Sequence, residues 1–358
     1  MPASRGDEAA GVGTPRPPGP SASTGARRGR IGRNALAGVT GFTAFVPLAA
    51  LVAMLVILLV EAIPSIRYNG WSFLTSSFWS MGSTYSPIVR SGIPHPLGAH
   101  YGAWPLIAGT LETSAIAIAV GLPIGVGAAV LLVEKLPRRA AGAIGLCLEI
   151  LAGVPSAVIG LWGILTFGPW LARNVYPALG HLPNVPVLNI FRGGFNSSGE
   201  GLLTGGLVLA AMIIPIVAAT TRDLLRQVPE GTKEAARALG MTDAEVFKTV
   251  QLRWVRTGII GVAVLGLGRA LGETIAIALV TGSQNALASN IYGTMTTIAA
   301  TIVSTLDSAQ SDPSGLAVKA LAEAALVLLA VTLIVNAIAR AIVRRAAKGA
   351  ALPVGAGF

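Results

Sequence analysis

Charged residues are scarce in this sequence. Of its 358 residues, only 12% are Asp, Glu, Lys or Arg, against about 25% in a typical soluble domain. Hydrophobic residues make up 53%, and the mean hydropathy is +0.69. Because a soluble domain of this composition has too few polar groups to cover its surface, the composition excludes an ordinary soluble protein.

Residues that carry enzyme or metal chemistry are also few. The single cysteine, Cys147, excludes an intrachain disulfide and a cysteine metal cluster. His95, His100 and His181 match no zinc motif by spacing, and we expect them to be solvated loop residues. No Gly-Lys dipeptide occurs, so the chain lacks a GxxxxGK[ST] phosphate-binding loop. We therefore expect neither an enzyme nor a metal or cofactor site in this chain.

Long apolar runs are abundant, and they decide the structural class. A helix needs roughly 20 apolar residues to cross a bilayer. Six segments meet this requirement, and they predict an all-α integral membrane protein built as a six-helix bundle. The predicted spans are residues 35–63, 104–133, 141–170, 201–220, 258–281 and 316–342.

The segments outside the spans are polar. Residues 1–34, rich in Pro, Gly, Ser and Arg, predict a disordered basic tail. Residues 64–103 predict an external loop whose aromatic residues rest at the membrane interface. The core at 104–342 contains five spans and a charged loop at 221–257, and residues 343–358 predict a second tail.

Lysine and arginine are unevenly distributed along the chain. About 20 of the 26 lie on the side of the membrane that holds both termini, and about 5 lie on the other side. The positive-inside rule therefore predicts that both termini are cytoplasmic. This asymmetry explains the formal charge of +10, so we expect no nucleic-acid partner.

The charged loop at 221–257 has the pattern of two short helices joined by a tight turn. Ala, Arg, Leu and Glu favour the first helix, and Gly240 fits the left-handed position that ends it. Thr242 and Glu245 have the spacing of a capping box, which starts the second helix.

One face of the first of these helices is small and apolar. Ala235, Ala236 and Leu239 fall on it at i, i+1 and i+4. We expect this face to meet a partner outside the membrane. The alternative is a solvated amphipathic loop between two spans.

The same loop resembles the EAA loop of ATP-binding cassette (ABC) importer permeases, whose pattern is Glu-Ala-Ala, three residues, Gly, nine residues and Ile-x-Leu-Pro. The residues in register are Glu234, Ala235, Ala236, Gly240, Val250 and Leu252, with Val250 in place of the isoleucine and Arg253 in place of the proline. The resemblance implies the MetI-like fold of type I importer permeases. It also implies docking on an ATPase subunit through Glu234, Ala235, Ala236, Leu239 and Gly240.

The fifth predicted span contains two charged residues, which are costly inside a membrane and usually face the bundle interior or a water-filled cavity. Arg269 and Glu273 are four residues apart, so on a continuous helix they share a face and can neutralise each other. Gly268 and Gly272 allow another helix to approach closely. The charged pair belongs either to a substrate path or to the contact between helices, and both roles can hold together.

Motifs in three spans resemble signatures of the phosphate-specific (Pst) permease subunits of ABC importers. They are RALGET at 269–274, LAGVPS at 151–156 followed by GLWG at 160–163, and GTLETS at 109–114. The long first external loop and the LWG tripeptide favour the PstC type over the PstA type.

This resemblance implies a function and a set of partners. The chain would be the transmembrane permease subunit of an ATP-driven importer of inorganic phosphate in the bacterial cytoplasmic membrane, working by alternating access. The implied partners are a PstA-type second permease, a dimer of PstB-type ATPase subunits that binds ATP and Mg²⁺, and an external PstS-type phosphate-binding protein.

The candidates for the substrate pathway are Arg269, Glu273, Glu149 and Ser156. Arginine offers a planar, permanently charged donor fork that matches phosphate oxygens, and a paired Glu273 would temper its charge. Glu149 precedes the 151–156 motif, which ends at Ser156 and whose proline can bend the helix. Glu112 lies near the outer end of its span, where water is accessible, and needs no special role.

Two alternatives stay open. A permease of the same family could carry another oxyanion, such as molybdate or sulfate, because the sequence does not specify the selectivity of the pocket. The chain could also be an ion-coupled secondary transporter. Such proteins usually show internal inverted repeats, no clear repeat is present, and the EAA-like loop would then have no explanation.

Overall fold

The chain divides into two compact units, Met1–Val56 and Ile57–Phe358. Helix α1 spans Gly25–Asn69 and therefore crosses the boundary between the units. Its residues up to Val56 are the only part of the first unit that the structure describes. The computed structural model describes residues 25–90, 92–181, 188–191 and 193–348.

Helices dominate the described residues, which confirms the predicted all-α class. After α1 they are α2 (Ser72–Thr75), α3 (Trp104–Val130), α4 (Arg138–Ala152), α5 (Ser156–Trp162), α6 (Gly168–Asn174), α7 (Tyr176–Gly180), α8 (Leu202–Arg226), α9 (Glu230–Ala238), α10 (Asp243–Glu245), α11 (Leu252–Leu271), α12 (Ile275–Val280), α13 (Ile298–Gln310) and α14 (Leu316–Lys348). The π-helical turns are Leu131–Lys135, Gly163–Phe167 and Val246–Gln251, and a short 3-10 helix covers Leu188–Phe191.

Five helices among the described residues are long and apolar enough to cross a membrane. They are Phe45–Asn69, Trp104–Lys135, Leu202–Arg226, Asp243–Leu271 and Leu316–Arg345. Two further helices, Arg138–Ala152 and Ser156–Gly180, are bent by 96° and count as a sixth span when taken together. Each predicted span therefore has a counterpart, one of them sharply bent.

Both ends of the described chain differ from the prediction. Helix α1 begins at Gly25, so residues 25–34 are helical and not a disordered tail. This stretch contains four arginines, which are good helix formers, and no proline. At the other end, α14 continues to Lys348. The rest of the two predicted tails, 1–24 and 349–358, lies outside the described residues.

Two spans are interrupted where the sequence weakens the helix. Between α4 and α5 the chain passes through Gly153 and Pro155, and proline disfavours a helical conformation in the residue before it. Helix α11 ends at Leu271, and α12 starts only at Ile275. The prediction of one continuous helix over 258–281 was therefore wrong.

Glycines let α3 and α8 pack closely against each other. A Cβ added at Gly121 would lie 2.7 Å from Ile213 Cγ1, and one added at Gly125 would lie 2.6 Å from Val217 Cγ1. Small residues allow such close approach of helix backbones in membranes. This contact forms the centre of the bundle, against which α11 and α12 also pack.

The predicted external loop is a folded layer. Strands β1 (Trp79–Ser80) and β4 (His100–Tyr101) pair antiparallel, as do β2 (Ser83–Arg90) and β3 (Ile93–Leu97). Its buried side chains share one apolar cluster with residues of α3, α13 and α14, including Phe73, Tyr101, Leu106, Ile298 and Leu316. The layer therefore covers the ends of these helices.

One histidine of this layer was mispredicted. His95 is 4% exposed, and its Nδ1 lies 3.0 Å from the carbonyl oxygen of Pro96 and 3.3 Å from the hydroxyl of Tyr68. It is therefore buried in the folded layer, whereas His100 and His181 are exposed as expected.

Candidate coupling surface and translocation site

The loop between the fourth and fifth spans has the predicted turn. Helix α9 ends at Ala238, and Gly240 follows two residues later with a left-handed φ of +85°. The Gly240 N–H donates to the carbonyl of Arg237 at 2.9 Å, and the Met241 N–H donates to that of Ala236 at 3.3 Å. These two hydrogen bonds form a Schellman motif, which a glycine at this position favours.

The second helix of the loop starts with the predicted capping box. The Thr242 N–H donates to Glu245 Oε2 at 2.8 Å, and the Glu245 N–H donates to Thr242 Oγ1 at 3.4 Å. Two backbone donors at the start of a helix are thereby satisfied reciprocally.

Ion pairs tie the two helices of the loop together. Arg237 Nε lies 3.1 Å from Asp243 Oδ1, and its NH1 lies 3.7 Å from Glu230 Oε1. Lys233 Nζ lies 3.2 Å from the other oxygen of Glu230. The hydrogen bond to Asp243 holds the pKa of the Arg237 guanidinium above its ordinary value. Lys233 and Arg237 thus both have carboxylate partners within the loop.

The outer face of α9 differs in part from the prediction. Leu239 is 81% exposed, and Glu234, Ala235 and Gly240 are also exposed. Ala236, predicted to share this face, is only 6% exposed. It turns inward with Lys233, three residues earlier on the same helix face, so the presented surface consists of Glu234, Ala235, Leu239 and Gly240. We call these four residues the coupling surface.

A small apolar cluster lies where three spans meet the loop. It contains Ala129, Leu225, Val228 and Val255, with Phe247 packed against it. These residues belong to α3, α8, α11 and the loop itself. Because buried packing transmits displacement, a movement of the loop reaches all three spans.

The predicted Arg269–Glu273 pair does not form. Arg269 is half-buried near the end of α11, whereas Glu273 lies beyond that end, in the break before α12. No ion pair joins the two residues. The expectation assumed a continuous helix, and the break removes the i, i+4 geometry on which it rested.

Arg269 lines a cavity instead. The cavity has a volume of about 610 Å³ and lies beside α11, with Asn336 and Arg340 of α14 also in its wall. The Nε atom of Arg269 is buried and has no hydrogen-bond partner among the described residues. Buried polar groups are normally paired, so Arg269 Nε lacks the partner that such a group usually has.

Glu149 pairs with Arg222, a residue that was predicted to lie in the charged loop at 221–257. Arg222, which lies within α8, places NH2 2.9 Å from Glu149 Oε1. The Arg222 side chain is 12% exposed and that of Glu149 is 53% exposed. A Cβ added at Gly145 would lie 2.5 Å from Arg222 NH1. The pair therefore holds α4 against α8.

Ser156 is half-buried and is the first residue of α5, directly after the bend. Helix α5 packs along α12, and a Cβ added at Gly160 would lie 2.6 Å from the Cα of Ala276. Further along, a Cβ at Gly163 would lie 3.0 Å from Val280 Cγ2. This parallel register brings the bend before α5 next to the break before α12, where Glu273 lies.

Sequence reasoning missed a buried acid in the last span. Glu323 of α14 is 6% exposed, and its Oε2 accepts hydrogen bonds from Ser65 Oγ at 2.6 Å and Asn69 Nδ2 at 3.2 Å. The contact fixes the end of α1 to α14. A lone acid within the apolar run at 316–342 was the available signal, because such residues usually face protein and not lipid.

Comparisons with known proteins give consistent matches. The model of the family described as "Binding-protein-dependent transport system inner membrane component" matches residues 121–348. "Phosphate transport system permease protein PstC 1" of Mycobacterium bovis is 55% identical over 302 residues, which cover 84% of this chain and 89% of that protein. "Phosphate transport system permease protein PstC" of Mesorhizobium japonicum is 37% identical over 278 residues, 77% of this chain and 79% of that protein. Among solved structures, an inward-facing MetNI methionine ABC transporter is 17% identical with a TM-score of 0.45, covering 68% of this chain and 94% of that chain.

Proposed function

The chain belongs to the family of inner membrane components of binding-protein-dependent transport systems, and on this basis we propose that it is the permease subunit of an ATP-driven importer of inorganic phosphate. The observation that carries the proposal is the 55% identity, over 84% of the chain, to a relative named as a phosphate transport system permease. The coupling surface and the cavity beside Arg269 support it.

Membership of the family confirms several predictions from the sequence. The chain is a multi-pass inner membrane protein with the type I ABC importer permease fold. It is a transport component and not an enzyme. The resemblance to Pst permeases of the PstC type agrees with the names of the relatives. The family also implies ATPase and binding-protein partners.

The finer identity of the partners is part of the proposal. A PstA-type permease would complete the pathway, a PstS-type protein would deliver phosphate from outside, and a PstB-type dimer would bind ATP and Mg²⁺. The coupling surface lies on the same side as most lysines and arginines, which the positive-inside rule assigns to the cytoplasm. Both termini would then be cytoplasmic.

The coupling surface would transmit the movement of the ATPase pair. Its exposed Leu239 fits an apolar depression on a partner, while Glu234 and Ala235 flank the contact. Closure of the ATPase dimer would displace α9 as a unit, because Arg237 fixes it to Asp243. The apolar cluster beneath would carry this displacement into α3, α8 and α11, which is the movement that alternating access needs.

Phosphate would pass Arg269, whose unpaired guanidinium offers a donor fork for its oxygens. Glu273 and Ser156, at the adjoining break and bend, would line the passage, since irregular backbone inside a membrane is tolerated where it borders a cavity. Glu149 would act through Arg222 by holding α4 in place.

Uptake of labelled phosphate tests the proposal. Phosphate-starved cells that lack this chain but retain its partner subunits would be complemented with wild type, Arg269→Gln or Gly240→Asp, with membrane levels matched. We expect wild type alone to restore uptake. Restoration of molybdate or sulfate uptake, without phosphate uptake, would contradict the substrate while retaining the importer. Activity without an ATPase subunit would contradict the importer.

A further inference from the structure

The cavity beside α11 is lined by residues of three spans. Its wall includes Gly261, Gly268 and Arg269 of α11, Ile216 of α8, and Asn336 and Arg340 of α14. A Cβ added at Gly268 would lie 3.9 Å from Asn336 Oδ1, so the two helices face each other directly here.

The cavity has two cations and no carboxylate in its wall. Neither Arg269 nor Arg340 makes an ion pair with any residue in the described part of the chain. Arg269 is half-buried and its Nε has no partner, Asn336 is half-buried, and Arg340 is exposed near the end of the last span. An unpaired cation within a span is costly, so Arg269 calls for an anion, and Arg340 adds a second cation to the same wall.

We propose that this cavity binds a phosphate group, with Arg340 and Asn336 completing the site that Arg269 begins. Two guanidinium forks match the charge and the tetrahedral oxygens of a phosphate, which carries between one and two negative charges near neutral pH. The Asn336 amide supplies a neutral donor on the same side as Arg340.

Two sources can supply this phosphate group. One is the transported ion, and that version rests on the proposed function, to which it adds Arg340 and Asn336 as substrate-contacting residues of the last span. The other is the headgroup of an anionic phospholipid. Exposed apolar side chains on α14 next to the cavity, Leu333, Ile334 and Ile338, would then contact its acyl chains.

The test uses the complete complex, purified with its partner subunits and reconstituted in vesicles of phosphatidylcholine with or without phosphatidylglycerol. The variants are Arg340→Gln, Arg340→Lys and Asn336→Ala. Arg344→Gln is the matched control, because Arg344 lies one turn further along α14 and lines only the adjoining cavity, on the side of Arg340 away from Arg269. Assembly and melting temperature would be checked for each. The two readouts are the KM for labelled inorganic phosphate and the phospholipid retained by the complex in native mass spectrometry.

If the ligand is transported phosphate, Arg340→Gln raises the KM by about 10-fold or more, as expected for loss of a charge-assisted hydrogen bond. Arg340→Lys recovers part of that loss, Asn336→Ala has a smaller effect, and retained lipid is unchanged. If the ligand is a lipid headgroup, the KM stays the same and Arg340→Gln loses retained phosphatidylglycerol, which Arg344→Gln keeps.

Unchanged KM and unchanged lipid retention in an assembled Arg340→Gln complex would overturn the proposal. So would equal effects of Arg340→Gln and Arg344→Gln on both readouts, because the effect would then reflect general charge. A wild-type complex that takes up no phosphate contradicts the proposed function, not the proposal for the cavity. In that case the retained phospholipid alone tests whether the cavity binds a phosphate group.

Discussion

The coupling loop and the cavity beside α11 differ in whether their cationic side chains have carboxylate partners. In the loop, Arg237 lies between Glu230 and Asp243, and Lys233 also pairs with Glu230. In the cavity, Arg269 and Arg340 line the wall without a carboxylate. Lys233 and Arg237 of the loop thus have carboxylate partners within the chain, whereas the two cations of the cavity have none among the described residues.

This difference indicates two roles for charged residues. Paired charges stabilise the structure, and the unpaired cations of the cavity are available to bind an anion. Breaking a paired charge leaves its partner uncompensated, which costs stability. Removing an unpaired cation relieves a cost and removes a binding group. The Glu149–Arg222 pair belongs with the loop in this comparison, although it lies among the spans.

The largest effect is expected at Arg269. Replacing it with Gln removes a half-buried, unpaired charge, and we expect phosphate uptake to fall about 100-fold, as when a charged partner of an anion is lost. Labelled uptake at matched membrane levels measures this. Glu273→Gln is the informative companion, because no ion pair joins the two residues. We expect the effects of the two substitutions on uptake to add in the double variant. Strongly non-additive effects would show that Arg269 and Glu273 interact directly.

At the coupling surface, Leu239→Asp should weaken association with the ATPase subunits about 30-fold or more, because exposed apolar anchors concentrate binding energy. Leu239 is 81% exposed, so the fold should tolerate the change. Co-purification and titration of the ATPase subunit measure the loss. Gly231→Ala is the matched control, since a Cβ there meets nothing within 4 Å. Equal loss in both variants would contradict a specific docking role for Leu239.

Glu149→Gln tests a structural pair among the spans. It leaves the 12% exposed Arg222 without its partner in α4. Because Glu149 is half exposed, we discount the cost to about 1–2 kcal/mol of stability. A lower melting temperature, with uptake per folded complex preserved, is the expected result. Loss of uptake at normal stability would move Glu149 back into the substrate pathway.

The smallest effect is expected at Gly240. Ala at its φ of +85° is strained, and we expect about 1 kcal/mol of local destabilisation. Hydrogen exchange at the amides of Gly240 and Met241 would report it, because these amides form the end of α9. Unchanged exchange would show that the left-handed turn is not required.

Local signals in the sequence predicted the coupling loop well. The left-handed Gly240 and the capping box of Thr242 and Glu245 depend on neighbours within six residues, and both are present. The failure at Ala236 was a matter of which face packs inward, which depends on the π-helical turn Val246–Gln251 beneath α9. Apolar runs predicted the spans because roughly 20 consecutive apolar residues are enough to identify a membrane-crossing helix.

Pairing inside the membrane could not be predicted from the same signals. Arg269 and Glu273 were expected to pair because the fifth span was assumed to be continuous, and the break at 272–274 removed that geometry. The partners actually present are distant in sequence, as with Glu149 and Arg222 or Glu323 and Ser65. A single sequence does not reveal such contacts.

We infer that the unpaired Arg269 binds the substrate, whereas the paired Arg222 and Glu149 hold the structure. Measuring melting temperature and phosphate uptake together, for Arg269→Gln and Glu149→Gln in the same reconstituted complex, tests it most directly. We expect Arg269→Gln to lose uptake with an unchanged or higher melting temperature, and Glu149→Gln to melt lower while retaining uptake. An Arg269→Gln complex that melts as low as Glu149→Gln would contradict the claim.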